Sequence, residues 1–293
     1  MKFLDSLIAS TLTGYAAAAS WGYDTQPWTS GYCQPAQYVR QSPIDIVTAD
    51  AKAENVAMDT LIGASGFVED HFGGTHSVKI NNITSSSAHS VTFSFNTEIG
   101  NSQFKCPQFH CHFVDSEHSI DGARQFGECH TVCYDQSLYG SFTNATATIN
   151  GDELAVFGFF IEEDDDLQVD NAAVNTWITA VNNFDVATFD STNIDVQMAY
   201  PADLSKYYRY MGGLTTPSCN PIVQWTVFAN SVKITSDQKL AMLGWLDKTG
   251  PGHLIGNNRG VQPLQGREVI CYGCSGSASL AAGLMMVLAY FLH

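Results

Sequence analysis

The sequence predicts a mainly β protein with a few short peripheral helices, and three observations carry that prediction. Stretches such as His76-Ser77-Val78-Lys79-Ile80 and Val91-Thr92-Phe93-Ser94-Phe95 alternate apolar with polar residues. Alternation with period two marks a strand with one buried face. Leu154 to Ile161 is a continuous apolar run, as expected of a strand covered on both faces. Helical spacing, the third observation, is confined to two short places.

In chain order, residues 1–20 read as a secretory signal peptide: Lys2, a modest apolar stretch, then the small residues Ala16 to Ala19. A buried helix is the alternative. Residues 21–48, rich in Trp, Tyr, Pro and Gln, read as loop-rich packing. Gln108 to Phe113 and Glu128 to Val132 are strand-like, as is Ile222 to Phe228. The acid run at 162–166 reads as a solvated loop, with cation binding the alternative. Ala173, Val174, Trp177 and Val181 place a helix over 170–183. Ser236 is positioned to cap a second helix carrying Leu240, Leu243 and Leu246. Nothing between reads as a linker, so one domain is expected from about 21 to 270. In the tail, 271–293, the apolar run Leu280 to Leu292 is shorter than the ~20 residues a spanning helix needs. Small residues, Ser275, Gly276 and Ser277, precede it. That order reads as a lipid-anchor (GPI) signal; a docked terminal helix or an inserted tail is the alternative.

Of 293 residues, 45% are hydrophobic, ample for a core. Lys and Arg number 13 against 29 Asp and Glu, a net charge of −16. So few cations exclude nucleic acid as a partner, since binding it depends on displacing phosphate counterions. Eight cysteines suit an exported, disulfide-bonded protein better than a cytosolic one. The glycosylation triplets at Asn82 and Asn144 agree with export.

The chemistry is concentrated in Phe109-His110-Cys111-His112. Residues i and i+2 of a strand share a face, so His110 and His112 project side by side. His130 sits in a second strand-like stretch, and pairing of the two would converge three imidazoles. Three histidines leave one tetrahedral position of zinc open, as catalytic rather than structural sites do. Ordinary histidines on a half-buried strand give the same spacing, and these residues alone leave both readings open.

Larger blocks resolve the choice by resemblance. Gln108-Phe-His-Cys-His112, Ser116-Glu-His-Ser-Ile-Asp121 and Glu128-Cys-His130 resemble the α-class carbonic anhydrases. Trp21-Gly22-Tyr23, Gln41-Ser-Pro-Ile-Asp-Ile46, Gly213-Leu-Thr-Thr-Pro217 and Gln262-Pro-Leu264 follow the family's order, over about residues 21–270. The resemblance implies a single domain with a large central twisted, mostly antiparallel sheet. It implies reversible hydration of carbon dioxide to bicarbonate and a proton by attack of a zinc-bound hydroxide, serving pH and bicarbonate homeostasis outside the cell. It makes His110, His112 and His130 ligands of Zn2+, held in turn by Gln108, the Asn257 carbonyl and Glu128. Thr215 and Glu117 orient the nucleophile, and His76 shuttles protons, with His71 as competitor. Val132, Val156, Leu214, Thr216, Val223 and Trp225 line the pocket for carbon dioxide. Cys33 and Cys219 match the disulfide of secreted and membrane-bound members.

The chain departs from the family's pattern in places. The segment from His112 to Glu117 is short, Phe113 stands where tryptophan is common, and Gly74 and Lys79 replace asparagines near His76. By strand alternation Cys111 points away from His110 and His112, and Cys129 away from His130. Buried thiols are therefore expected there and at Cys106 and Cys133, with a cross-strand bridge the alternative. Cys271 and Cys274 either pair or are processed away. A silent binding module and a biomineral-matrix protein are the competing functional classes. The first would be expected to lose a zinc histidine, the second to carry acidic repeats.

Overall fold

A computed structural model describes residues 21–34, 38–54, 65–67, 78–81, 91–94, 101–183, 193–195, 200–248 and 256–274. The expected signal peptide, His71, Gly74, His76, Asn82 and residues 275–293 lie outside them. Among the described residues the strands are β1 Asp45–Ile46, β2 Lys52–Glu54, β3 Ser65–Phe67, β4 Val78–Asn81, β5 Val91–Ser94, β6 Asn101–Phe113, β7 Ser119–Ile120, β8 Gly127–Asp135, β9 Leu154–Glu163, β10 Asn193–Asp195, β11 Tyr207–Gly212, β12 Val223–Ile234 and β13 Ile270–Tyr272. The helices are α1 Gln136–Tyr139, α2 Phe142–Ala147, α3 Ala172–Asn183 and α4 Ser236–Lys248.

Nine strands form one sheet in the order β2-β13-β11-β12-β9-β8-β6-β4, with β5 also on β6. Its pairings are antiparallel except β12 with β9 and β13 with β2. The mainly β class with a large, mostly antiparallel sheet is therefore observed. The apolar run becomes β9 at the sheet's centre, buried along its first eight positions.

The sheet separates two apolar layers. One face gathers Phe109, Phe113, Phe157, Phe159 and Phe228 under Val174 and Trp177 of α3 and Met242 of α4. The other gathers Val132, Val156, Val223, Trp225, Tyr208 and Tyr210 with Ile44 and Ile46. Alternation assigns the faces, with one exception. Lys105 pairs with Tyr134 but Gln108 with Val132, so Cys106 and Pro107 together face Cys133. This bulge reverses the inside-outside order of β6. Cys106 thereby joins Phe109 and Cys111 on the helix-covered face, where strict alternation would put it with the histidines. Pro107 brings no N–H to a ladder, and a bulge is where a strand accommodates that loss.

Several expectations change. The four cysteines of β6 and β8 are not thiols: Cys106 is bonded to Cys133 and Cys111 to Cys129. Each pair meets on the same face of adjacent strands, which puts the sulfurs within bonding reach. Cys271 is bonded to Cys274 and lies in β13, so the sheet crosses residue 270 instead of ending there. Thr235, not Ser236, caps α4: its hydroxyl accepts from Gln238 N–H (3.3 Å), and the Gln238 side chain accepts from Thr235 N–H (3.3 Å). Ser236 donates to Glu163 instead. Leu240 is exposed while Met242 and Gln238 supply the buried face of α4. The acid run is only partly a loop. Glu162 and Glu163 end β9 and pair with Lys233 and Lys239.

Candidate metal centre and active site

β6 and β8 run antiparallel with His110 directly opposite His130. His112 shares the face of His110, two residues along. The ring centroids stand 5.1 Å apart for His110 and each of the other two, and 4.8 Å for His112 and His130. One nitrogen from each lies within 4.8 Å of the others, a spacing an ion at their centre can bridge. His112 is fully buried and His130 nearly so.

Each ligand needs its second nitrogen held, so that the first presents a lone pair. His112 Nδ1–H donates to the Asn257 carbonyl at 2.6 Å. That leaves Nε2 as the lone-pair nitrogen, buried and without a hydrogen-bond partner. A buried polar atom left this way is costly, and an ion at this point would satisfy it. Burial pushes the His112 imidazole below its ordinary pKa, against the opposing pull of Glu117. His130 Nε2–H donates to Glu128 Oε1 at 3.0 Å, turning Nδ1 inward. The residues present therefore fit a metal ion. Gln108 is half-buried and stands two residues before His110 on the same face.

The Asn257 side chain has a role that the sequence did not reveal. Its Oδ1 accepts from Phe113 N–H at 2.7 Å and its Nδ2 donates to the Cys111 carbonyl at 3.1 Å. The amide thus serves β6 as a strand partner next to the pairing of Val78 with Cys111. Lys79 of β4 registers opposite His110.

Behind His130 runs a chain of buried hydrogen bonds. Gly213 N–H donates to Ser42 Oγ (3.1 Å), and the Ser42 hydroxyl to Tyr210 (2.8 Å). The Tyr210 hydroxyl donates to His118 Nε2 (2.7 Å), and His118 Nδ1–H to Glu128 Oε1 (2.7 Å). An N–H at one end and an acceptor-only carboxylate at the other assign the direction and the His118 tautomer. His118 N–H adds a bond to Glu128 Oε2 at 2.7 Å. Burial alone would raise the Glu128 carboxyl, but His118 and His130 beside it hold it well below the usual range. His118, Glu128 and His130 also form a second cluster of ligand type, yet these hydrogen bonds already occupy it. Gly158, opposite His130 on β9, makes room for this contact: a Cβ there would stand 2.8 Å from Glu128 Oε1. Sequence reasoning passed over Ser42, His118, Tyr210 and Gly158, because their partners are distant in the chain.

Glu117 is fully buried. Its Oε1 accepts from Arg259 N–H at 2.9 Å. Its Oε2 has no hydrogen-bond partner and lies 3.5 Å from His112 Nε2 and 4.0 Å from His130 Nδ1. The Arg259 guanidinium donates to the carbonyls of Ser42 and Cys33 and to Gln41 Oε1, tying the chain after β12 to the block at Gln41.

A family model for eukaryotic-type carbonic anhydrases matches residues 23–273. The chain belongs to this family. It is 29% identical to carbonic anhydrase 6 of Bos taurus, over 90% of this chain and 84% of that one. It is 30% identical to carbonic anhydrase 4 of Oryctolagus cuniculus, over 87% and 80% of the two chains. It is 28% identical to carbonic anhydrase 1 of Mus musculus, over 86% and 98%. Membership makes it an enzyme of the carbonic anhydrase class and supports carbon dioxide hydration as its reaction.

In this carbonic anhydrase Thr215 is buried and Thr216 half-buried, on the turn between β11 and β12. The turn is held at many points. Trp225 Nε1–H donates to the Gly213 carbonyl (3.1 Å), Leu214 N–H to the Asn220 carbonyl (2.9 Å) and Tyr32 N–H to the Ser218 carbonyl (2.9 Å). Cys219 is bonded to Cys33, and the Gln41 side chain donates to its carbonyl (3.1 Å). Val132, Val156, Val223 and Trp225 lie in one buried cluster with Leu214 packed against it, on the histidine face. The Trp225 ring meets His130 edge-on at 4.9 Å. Asn144 is exposed on α2, its side chain donating to the Tyr139 carbonyl.

Proposed function

We propose that this carbonic anhydrase is a zinc enzyme that reversibly hydrates carbon dioxide, with His110, His112 and His130 holding the ion. The observation that carries the reading is the buried, unpartnered His112 Nε2, whose other nitrogen is committed to Asn257. Zinc in such a three-histidine site supplies a nucleophile from water at neutral pH; carbonic anhydrase is itself the standard example of this effect.

The remaining roles are those the family resemblance implies for this chain's residues. Glu117 has one oxygen committed to Arg259 and the other free to accept. A carboxylate can only accept, and the family resemblance makes the Thr215 hydroxyl the donor to it. The Thr215 oxygen is then left to accept from the attacking group, which aims a lone pair of that group at the substrate. Val132, Val156, Leu214, Thr216, Val223 and Trp225 form the wall that receives carbon dioxide, a weakly hydrated molecule that needs little polar recognition. Gln108 is the outer partner of His110. His76 carries the released proton, its ordinary pKa of about 6.5 suiting transfer at neutral pH.

The catalytic unit is residues 21–270 together with the short β13. Four disulfides among the described residues support export, since such bonds persist in oxidising compartments. Residues 1–20 serve as signal peptide, the tail 271–293 carries an anchor signal whose part beyond the small residues Ser275, Gly276 and Ser277 is exchanged for a lipid anchor, and Asn82 and Asn144 serve as glycan acceptors on the extracellular side. Among the described residues no helix is long and apolar enough to cross a membrane.

Stopped-flow carbon dioxide hydration tests the enzyme reading, with zinc content measured on the same samples. The parent is expected to bind one zinc and to exceed His112→Ala by orders of magnitude. Equal rates for zinc-loaded parent and variant would refute it. Release from cells by a phosphatidylinositol-specific phospholipase tests the anchor, and retention would count against it.

A further inference from the structure

The three histidines converge only if β6 and β8 keep their register. On the other face of the same two strands, Cys111 and Cys129 are bonded directly across, with Cα atoms 4.0 Å apart. This is the close, non-hydrogen-bonded kind of antiparallel pair, in which side chains approach most nearly. His110 and His112 are the two chain neighbours of Cys111, and Glu128 and His130 those of Cys129. The bond therefore stands one residue from every proposed ligand and from the carboxylate that orients His130.

Register is the quantity at stake. A slip of one residue moves every side chain of a strand to the opposite face. β6 already contains such a shift at Cys106-Pro107, where its ladder with β8 is interrupted. On its other side, among the described residues, β4 pairs with Gln108 to Cys111, and the Asn257 amide holds the backbone on either side of His112, at Cys111 and Phe113. The histidine segment thus lies between the bulge and the Asn257 amide.

We propose that the Cys111–Cys129 disulfide is a positioning element of the metal centre. It locks the register that brings His110 and His112 onto His130, and so governs how long the ion is retained. The Cys106–Cys133 bond, at the bulge, closes the strand pair without acting on the ligands. The inference rests on the three histidines being metal ligands.

The test compares Cys111→Ala/Cys129→Ala with Cys106→Ala/Cys133→Ala and the parent. The readouts are zinc release to a chromogenic chelator well below the melting temperature and the visible spectrum of the cobalt(II)-substituted protein. The first pair is expected to release zinc faster by roughly tenfold or more, the scale set by losing an outer contact that orients a ligand. Its cobalt bands should shift. The second pair should keep the parent's release rate and spectrum while melting earlier. Matching rates and spectra in both pairs would overturn the proposal. Equal acceleration in both would too, since that is general loosening. A Cys111→Val/Cys129→Val pair fills the space if the alanine pair does not fold. Failure of both to fold, while the second cysteine pair folds, would assign the bond to global stability and also overturn the proposal. If the parent itself takes up no zinc, the ligand reading fails first, and the two failures are told apart.

Discussion

The two faces of the β6–β8 strand pair are held by opposite kinds of force. On one, His112, His130 and Glu128 are fixed by directional bonds that run to Asn257, His118, Tyr210 and Ser42. On the other, Phe109, Phe113 and two disulfides pack into an apolar layer under α3 and α4. Apolar burial stabilises without specifying orientation. A hydrogen-bonded chain orients its members but costs free energy wherever one is left unpaired. The division places rigidity behind the site and direction within it. Chemistry on the first face therefore depends on the backbone that the second face holds.

The hardest break of this comparison is His112→Ala. It is expected to abolish zinc retention and carbon dioxide hydration together, while circular dichroism still shows the β fold, because the apolar face is untouched. Next comes loss of the bond that braces the Thr215 turn. Cys33→Ala/Cys219→Ala, which opens a link across 186 residues, should cost about 2–5 kcal/mol in denaturant titration. Zinc stoichiometry should stay at the parent's value.

Thr215→Ala should lower kcat by roughly a hundredfold with zinc retained, the scale of removing one preorganised polar contact to a reacting group. Stopped-flow rates on samples of known zinc content check it. Glu128→Gln should weaken zinc affinity by roughly 10- to 100-fold in chelator competition. It should also change the acid response. The folded Glu128 carboxyl lies well below its ordinary value. Its contribution to stability is therefore complete above the unfolded pKa of about 4.3, and is lost as pH falls through the lower folded value. Glu128→Gln removes that part of the acid destabilisation, so its loss of stability below about pH 4.3 should be shallower than the parent's. The mildest change, Tyr210→Phe, removes one neutral donor to His118 and should cost about 1 kcal/mol, read by thermal melting, with zinc affinity nearly unchanged.

Much of this was legible in the chain. Alternation alone placed His110 with His112 and set Cys111 against them. The apolar stretch at Leu154 became the central strand because no polar interruption offers it a solvated face. The helix at 170–183 appeared within two residues of its expected bounds, as α3 Ala172–Asn183. For the cap of α4 the signal was present but overlooked: Thr235-x-x-Gln238 has capping-box spacing, whereas Lys239 stands three residues after Ser236. Other features were hidden for definable reasons. Cys106 has the same parity as His110, so strict alternation would put it on the histidine face, and only the bulge at Cys106-Pro107 turns it to the other. The Asn257 carbonyl came from the family resemblance, but its side chain's service to β6 depends on a fold that brings residue 257 beside Cys111 and Phe113. His118 had no signal beyond its place in a block, since its partners Glu128 and Tyr210 are 10 and 92 residues away.

By itself the sequence determined the mainly β class and the side-by-side histidines of Phe109-His110-Cys111-His112. These rest on local spacing and composition, which need no knowledge of what pairs with what. Only the tertiary structure decided that His130 lies opposite His110, that the four cysteines of β6 and β8 are two bonds, and that Glu128 is held by His118. Each of those depends on a register set over the whole sheet and on one bulge. Burial across many strands chooses that register, and no short stretch contains it.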